Sequence, residues 1–250
     1  MPLLFEPYAS DLARLAASTD PERVLETAAG TGVVARALAP LLRSHAHYVV
    51  SDLNQPMLDK AAKRQGPDAR IVWRQADAQN LPFEDQSYDT VVCQFGAMFF
   101  PDRIGAYRET RRVLKRGGRF LFNVWDRIEE NEFAQVVTEA VGAIFPSDPP
   151  RFLARTPHGY HDVGRMKAEL QAAGFSSIEF ETVQERSEAP NPRLPAIAYC
   201  QGTPLRGEIE ARDPARLEAA TARAAEAIAE AFGNGPVSGE IQAHVIAARA

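Results

Sequence analysis

The chain has 250 residues, of which 45% are hydrophobic and 24% charged, and its 28 basic against 33 acidic side chains give a net charge of −5. This length can bury a sizeable core in one α/β domain, and we expect a single domain over residues 1–250. No apolar run is long enough for a membrane span, and the negative charge argues against a nucleic-acid partner. The sequence leaves the oligomeric state open.

The ends and the cysteines indicate the compartment. The segment Met1–Glu6 lacks the basic and apolar regions of a secretion signal. Cys93 and Cys200 are far apart in sequence, which favours reduced thiols over a disulfide framework or a metal site. We therefore predict a cytoplasmic protein without a structural metal.

Short β-branched runs alternate with amphipathic stretches through the first half of the chain. This pattern is typical of a parallel sheet wrapped by helices. The predicted strands are Val24–Thr27, His47–Asp52, Ile71–Gln75, Thr90–Phe95 and Arg119–Trp125. The predicted helices are Val33–Arg43, Met57–Arg64 and Arg103–Leu114.

The second half is less regular. Its proline-rich stretch Asp126–Tyr160 predicts a surface excursion, and a second proline cluster lies at Pro190, Pro192 and Pro195. Between and after them the pattern predicts, in order, a helix at Val163–Ala173, a strand at Ser177–Val183, a helix at Arg216–Phe232 and a last strand from Gly239. The chain should therefore close with two strands and a helical insertion between them.

A glycine turn, Gly30-Thr31-Gly32, separates the first predicted strand from its helix. Glycines there let a ligand approach backbone that no Cβ shields, at the N–H groups of the helix start. The bare pattern fits tight packing equally well.

Further polar side chains follow the ends of the next strands. Asp52 ends the second strand, 20 residues after Gly32, and Asp77 follows the third strand. The carboxyl ends of parallel strands form the edge where open sheets bind ligands, and a carboxylate there can accept both hydroxyls of a ribose. Alternatively, Asp52 caps the next helix and Asp77 is an ordinary turn acid.

Four motifs in order resemble the class I S-adenosylmethionine-dependent methyltransferases, most closely the small-molecule branch with the ubiquinone and menaquinone C-methyltransferases. They are "VLETAAGTG", "VVSDLNQPML", "ADAQNLPF" and "YDTVVCQFGAMFFPD", followed by "RVLKRGGRFLF". The resemblance covers about residues 20–126, the expected cofactor-binding core. It implies a Rossmann-like, doubly wound α/β fold whose seven-stranded sheet has an antiparallel last strand, with helical lid insertions.

The resemblance also implies the cofactor, S-adenosylmethionine, with S-adenosylhomocysteine as the product. Glu26 and the loop residues Ala28, Gly30, Thr31 and Gly32 would surround its methionine end, where Ala28 replaces a glycine of many members. The remaining implied contacts are Asp52 on the ribose, Leu53, Met57, Asp77 and Ala78 around the adenine, and Gln94 on the methionine part.

Glu26 supports this cofactor on physical grounds. S-adenosylmethionine carries a sulfonium and an ammonium and no phosphate, so an acid beside the glycine turn attracts it. The same acid would repel the pyrophosphate of a nicotinamide dinucleotide. The alternative role for Glu26 is a carboxylate that caps the N–H groups of the turn.

The insertions 127–160 and 190–232, with the first 15 residues, should supply an acceptor pocket or lid. Candidate bases or orienting groups are His158, Tyr160, His161 and Tyr8. The alternative is that the histidines are solvent-exposed hydrogen-bonding residues of a loop. As a metal site the two histidines are weak, because zinc needs further ligands.

We predict methyl transfer to a small-molecule acceptor by in-line displacement. The alternatives are a methyltransferase acting on a macromolecule, a cofactor-binding protein without turnover, and a disfavoured NAD-dependent oxidoreductase.

Overall fold

The computed structural model describes residues 2–250. Met1, the first residue of the segment that the sequence analysis compares with a secretion signal, lies outside the described residues. Cα packing divides the chain into two compact units. The core unit comprises Phe5–Val124, Asp162–Thr182 and His244–Ala250, and the helical unit comprises Trp125–His161, Val183–Ala243 and the segment ending at Leu4. The single domain over residues 1–250 stays a prediction.

Seven strands form one sheet in the order β3-β2-β1-β4-β5-β7-β6. They are β1 Arg23–Glu26, β2 His47–Asp52, β3 Ile71–Gln75, β4 Tyr88–Gln94, β5 Leu114–Trp125, β6 Ile178–Ala189 and β7 Val237–Arg249. Strands β1 to β5 pair in parallel. Strand β7 is antiparallel, since Ala250 bonds to Gly118 while Gln242 accepts from Asp126. The predicted sheet with an antiparallel last strand is confirmed.

Ten α-helices accompany the sheet among residues 2–250, and none of them is long and apolar enough to cross a membrane. In chain order they are α1 Pro2–Ala17, α2 Val33–Leu38, α3 Gln55–Gln65, α4 Arg103–Val113, α5 Glu132–Ile144, α6 Phe152–Arg155, α7 Val163–Ala172, α8 Arg193–Cys200, α9 Leu205–Arg212 and α10 Leu217–Phe232. A 3₁₀ turn, Ala39–Leu41, continues α2.

One face of the sheet packs against α1 and α2. Side chains two residues apart on a strand point to the same face, and Tyr48 and Val50 of β2 are both buried there. Leu12 of α1 and Leu38 of α2 belong to the same apolar cluster. This packing holds the start of α2 against the carboxyl end of β1.

The helical unit is more regular than the sequence predicts. Helix α5 lies inside the stretch expected to be a surface excursion, and it buries Phe133, Val137 and Val141 at helical spacing. The prolines of the second cluster do not break structure, because Pro192 and Pro195 stand at the start of α8, where a missing N–H costs nothing. Strand β6 likewise continues to Ala189, beyond its predicted end at Val183.

Helix α1 is absent from the sequence-based prediction. It contains Pro7, which weakens the helical signal, but Tyr8 and Leu12 are buried four residues apart on one face. Tertiary packing therefore decides this helix more than local propensity does.

Basic side chains at the end of α4 and the start of β5 form ion pairs within the fold. Arg112 bonds to Glu109 and Asp85, and Lys115 pairs with Asp89. These cations therefore have a structural role at this end of the helix.

Candidate active site

The loop between β1 and α2 has an unusual backbone. Ala28, Gly30 and Gly32 have φ angles of 52°, 55° and 74°, in the left-handed region that favours glycine. A Cβ built on Gly30 meets nothing within 4 Å, so this glycine leaves open space beside the loop. A Cβ on Gly32 would lie 2.9 Å from the Cβ of Ala61 in α3. Gly30 thus fits the predicted ligand approach, whereas Gly32 permits packing.

Ala28 is a non-glycine residue in this strained conformation. Its Cβ would lie 2.5 Å from a Cβ on Gly96, just after β4. Phe95, next to Gly96, also has a positive φ of 50°. Two strained residues therefore occupy facing loops at the carboxyl edge of the sheet, and such strain concentrates at functional sites.

Asp52 ties the second strand to the glycine loop. Its Oδ2 accepts a 2.8 Å hydrogen bond from the Gly30 N–H, and its Oδ1 accepts one from the Asn54 N–H. Asn54, not Asp52, caps α3, because the Asn54 side chain accepts from the Met57 N–H. The capping alternative for Asp52 is therefore wrong, although each of its oxygens keeps a further lone pair for a ribose hydroxyl.

Glu26 lies below the loop and is 1% exposed. The Tyr48 hydroxyl donates a hydrogen bond to Glu26 Oε2. The Glu26 pKa is raised to about 8, mainly because burial disfavours the charged form; the Tyr48 hydrogen bond opposes this shift, the nearby Asp52 adds to it and Arg36 opposes it. The sequence predicts that Glu26 is ionised. With a pKa of about 8, the buried carboxyl is instead mainly protonated at neutral pH in the free protein.

Tyr48 and Arg36 are site residues that the sequence reasoning missed as such. The Arg36 guanidinium donates a 2.8 Å hydrogen bond to the Thr31 carbonyl, and Arg64 reaches the Thr31 hydroxyl at 3.4 Å. Strand register could have found Tyr48, because Val50 pairs with Glu26 and Tyr48 lies two residues earlier on the same face.

The residues expected around the adenine lie beyond the ends of β2 and β3. Leu53 is 66% exposed and Met57 44%, an unusual exposure for two large apolar side chains. Asp77 is half-buried, and its Oδ1 accepts from the Gln79 N–H at 2.9 Å, as the turn-acid alternative expects, while Ala78 is buried. Its second carboxylate oxygen would still be able to accept a ligand hydrogen bond.

The candidates for the acceptor lie in both units. Tyr8 is fully buried in the core unit, with its ring edge-on to Phe95 at 5.5 Å. His158 and Tyr160 are buried in the helical unit, and His161 is half-buried. The expected solvent exposure is therefore wrong for His158.

His158 is held as a neutral imidazole. Its Nδ1 lies 2.8 Å from the Asp126 carbonyl oxygen, which can only accept, so Nδ1 carries the hydrogen. Burial lowers the His158 pKa to about 4, against a smaller opposite effect of Asp126. At neutral pH this side chain can accept a hydrogen bond but is a poor base.

The core unit therefore brings Glu26, Gly30 and Asp52 together at the carboxyl edge of an open parallel sheet. This arrangement is typical of α/β proteins that bind a nucleoside at that edge. Comparison with known sequences makes the class specific. Residues 25–122 match the family model described as a methyltransferase domain.

Two curated relatives extend the match. The chain is 32% identical over 167 residues to the demethylmenaquinone methyltransferase of Clavibacter sepedonicus, covering 63% of this chain and 67% of the relative. It is 30% identical over 173 residues to a ubiquinone/menaquinone biosynthesis C-methyltransferase of Cellvibrio japonicus, covering 64% and 70%. The chain belongs to this family of S-adenosylmethionine-dependent methyltransferases.

Solved structures agree on the fold. A methyltransferase structure from Bacillus halodurans superposes with a TM-score of 0.63 at 21% identity, covering 96% of this chain and 97% of that one. A phosphoethanolamine N-methyltransferase of Haemonchus contortus, bound to S-adenosylhomocysteine, gives 0.54 at 18% identity over 91% of this chain and 49% of its own. These likenesses support the Rossmann-like architecture.

Proposed function

We propose that this enzyme transfers the methyl group of S-adenosylmethionine to a small, neutral, aromatic or enolic acceptor. The observation that carries the cofactor site is the bond from the Gly30 N–H to Asp52 Oδ2. It holds the Asp52 carboxylate, which would accept from a ribose, beside the open face of Gly30, where the backbone can be approached closely.

The described residues fit the cofactor at each of its ends. The exposed apolar pair Leu53 and Met57 would cover the adenine, with Asp77 and Ala78 beside it. Asp52 would accept from the ribose hydroxyls. Glu26, with the loop from Ala28 to Gly32 and Gln94, would border the methionine part.

S-adenosylmethionine, when bound, supplies an electrophilic methyl group on a sulfonium. The protein's part is to hold the acceptor atom in line with that methyl group, and positioning alone can supply about 7–11 kcal/mol. No covalent residue is required. The neutral His158 would orient rather than deprotonate an acceptor. Tyr8, Tyr160 and His161 stay candidates for the same task.

The acceptor class rests on the relatives. The names of the two relatives indicate their methyl acceptors, which are demethylmenaquinone and a ubiquinone or menaquinone precursor. These acceptors are neutral ring compounds. The negative net charge of −5 favours a small neutral acceptor over a nucleic acid. The role of residues 127–160 and 190–232 in acceptor binding and the cytoplasmic location stay predictions.

A direct test follows the methyl group. The enzyme should transfer labelled methyl from S-adenosylmethionine to demethylmenaquinone kept reduced, and Asp52→Ala should lose this activity through weaker cofactor binding. Transfer to a macromolecule but to no small acceptor would contradict the proposal. Tight cofactor binding with no transfer across a broad acceptor panel would instead show a binding protein without turnover.

A further inference from the structure

Two buried side chains at the ends of β4 and β5 each leave one polar atom unbonded. Gln94 is 9% exposed and Asn123 is fully buried. Gln94 Oε1 and Asn123 Nδ2 have no hydrogen-bond partner among residues 2–250. A buried polar group without a partner destabilises the fold, so such atoms call for an explanation.

The chemical identity of the two free atoms is fixed by their bonded neighbours. The Gln94 amide lies 2.9 Å from the Phe5 carbonyl oxygen, which only accepts, so its NH₂ must face Phe5 and its oxygen is left free. The Asn123 amide lies 3.1 Å from the Phe95 N–H, which only donates, so its oxygen must face Phe95 and its NH₂ is left free. The pair therefore offers one acceptor and one donor.

The strand register places this pair together. Gln94 and Asn123 are direct partners in the β4–β5 ladder, so their side chains leave the same face of the sheet. Val92 pairs with Glu26 of β1, which puts Gln94 one side-chain step beyond Glu26 on that face. All of these residues belong to the core unit.

We propose that Gln94 Oε1 and Asn123 Nδ2 form a subsite for a hydroxyl group of the methyl acceptor. The inference rests on the proposed function. Gln94 is assigned there to the methionine part, whose sulfur carries the methyl group, and an in-line reaction puts the acceptor's reacting group beside that methyl. A subsite next to Gln94 therefore meets the reacting end of the acceptor.

The donor–acceptor pair selects among acceptor groups. A hydroxyl donates one hydrogen to Gln94 Oε1 and accepts one from Asn123 Nδ2. A ketone can only accept, and an ammonium can only donate. A neutral amine would spend its single lone pair on Asn123 and could not attack the methyl group. A phenol or enol keeps either a second oxygen lone pair or its activated carbon free to react.

The test compares two probes that differ only at the hydroxyl. Binding of 1-naphthol and of 1-methoxynaphthalene is measured by calorimetry on the full chain saturated with S-adenosylhomocysteine. A site that bonds a hydroxyl from both sides rejects the analogue lacking the hydrogen, and we expect at least about a tenfold preference for 1-naphthol. Gln94→Met and Asn123→Leu should each reduce this ratio to near one.

Thr90→Val is the matched control. Thr90 lies on β4, four residues before Gln94, and its hydroxyl is also buried without a partner. Removing the Thr90 hydroxyl should leave the ratio of the two probe affinities unchanged. A lower ratio in Thr90→Val would mean that loss of any buried polar atom on β4 changes probe binding. Thermal unfolding without ligand reports whether each variant stays folded, since Asn123 also bonds the Phe95 N–H.

The possible results distinguish failure of the hydroxyl subsite from failure of the proposed methyltransferase function. Equal affinity of the wild-type enzyme for both probes, or binding of neither, overturns the hydroxyl subsite, and a bound water then satisfies the two atoms. A preference that survives in both Gln94→Met and Asn123→Leu also overturns it. Failure of the wild-type enzyme to bind S-adenosylhomocysteine would instead contradict the proposed function itself.

Discussion

The Tyr48 hydroxyl donates a hydrogen bond to the buried carboxyl of Glu26 beneath the glycine loop. Because burial dominates over this bond, the Glu26 pKa lies near 8 and the group holds a proton at neutral pH. A cationic ligand beside it would favour the ionised form. If Glu26 borders the cofactor as proposed, its protonation links the stability of the free protein to cofactor binding.

Glu26→Gln should stabilise the free protein, and more so as the pH rises. The folded chain keeps the Glu26 proton up to about pH 8, whereas the unfolded chain releases it near the ordinary value of 4.5. The wild-type free energy of unfolding therefore falls between these pH values, by up to about 1.4 kcal/mol per pH unit. Urea unfolding at pH 5 and pH 8 measures the difference. Exposed Glu84→Gln is the control, and a constant offset for Glu26→Gln would contradict the burial argument.

The two loop glycines should respond differently to alanine. Both have positive φ, so each substitution strains the backbone by about 1–2 kcal/mol. Gly32→Ala adds a clash with Ala61 and should lower Tm more, whereas the Cβ of Gly30→Ala enters open space beside the loop and should mainly weaken cofactor binding. Thermal shift with and without S-adenosylhomocysteine separates these effects.

Gly66→Ala is the matched control for backbone strain, since Gly66 has a φ of 73° and open space around its Cβ at the end of α3. It should lose at least as much stability as Gly30→Ala, because a positive φ with a ψ of −176° is nearly restricted to glycine, and it should keep the ligand-induced rise in Tm. If both variants keep that rise, Gly30 does not border the cofactor.

Asp52→Ala should lower S-adenosylmethionine affinity by at least about tenfold. The substitution removes the expected ribose contacts and leaves the Gly30 N–H without its acceptor. Asp52→Asn keeps one oxygen and should have an intermediate affinity by calorimetry. Asp59→Ala, on the exposed face of α3, should bind normally. Equal affinity in all three would mean that the ribose lies elsewhere.

His158 should make the protein acid-sensitive. Burial lowers its folded pKa from 6.5 to about 4, so the unfolded chain binds a proton that the folded chain refuses. The contribution of His158 to stability is complete above pH 6.5 and is lost as the pH falls toward 4, by about 3 kcal/mol in total. His158→Gln should flatten this part of the stability profile, and exposed His45→Gln should not. An unchanged slope in His158→Gln would show that His158 is not buried as neutral imidazole.

The sequence predicts the backbone at the carboxyl edge of β1 and β2 well because each of its parts is local. The order of strand, glycine turn and helix places Gly30, and the spacing to Asp52 follows from one βαβ unit. Helices α1 and α5 are not predicted, because they are stabilised by tertiary packing and lack clear capping and turn residues at their ends. The protonation state of Glu26 is not predicted either, since its partner Tyr48 lies on another strand and its pKa depends on burial. The unbonded atoms of Gln94 and Asn123 become visible only with the strand register.

Proton release on cofactor binding tests the central claim most directly. Titration calorimetry at pH 7 in buffers of different ionisation enthalpy counts the protons that leave when S-adenosylmethionine binds. We expect close to one proton from the wild-type enzyme, because a carboxyl with a pKa of about 8 is mainly protonated before binding and ionised beside the sulfonium. Glu26→Gln should release none. Equal proton release by the two proteins would contradict the view that Glu26 is the group that recognises the cation.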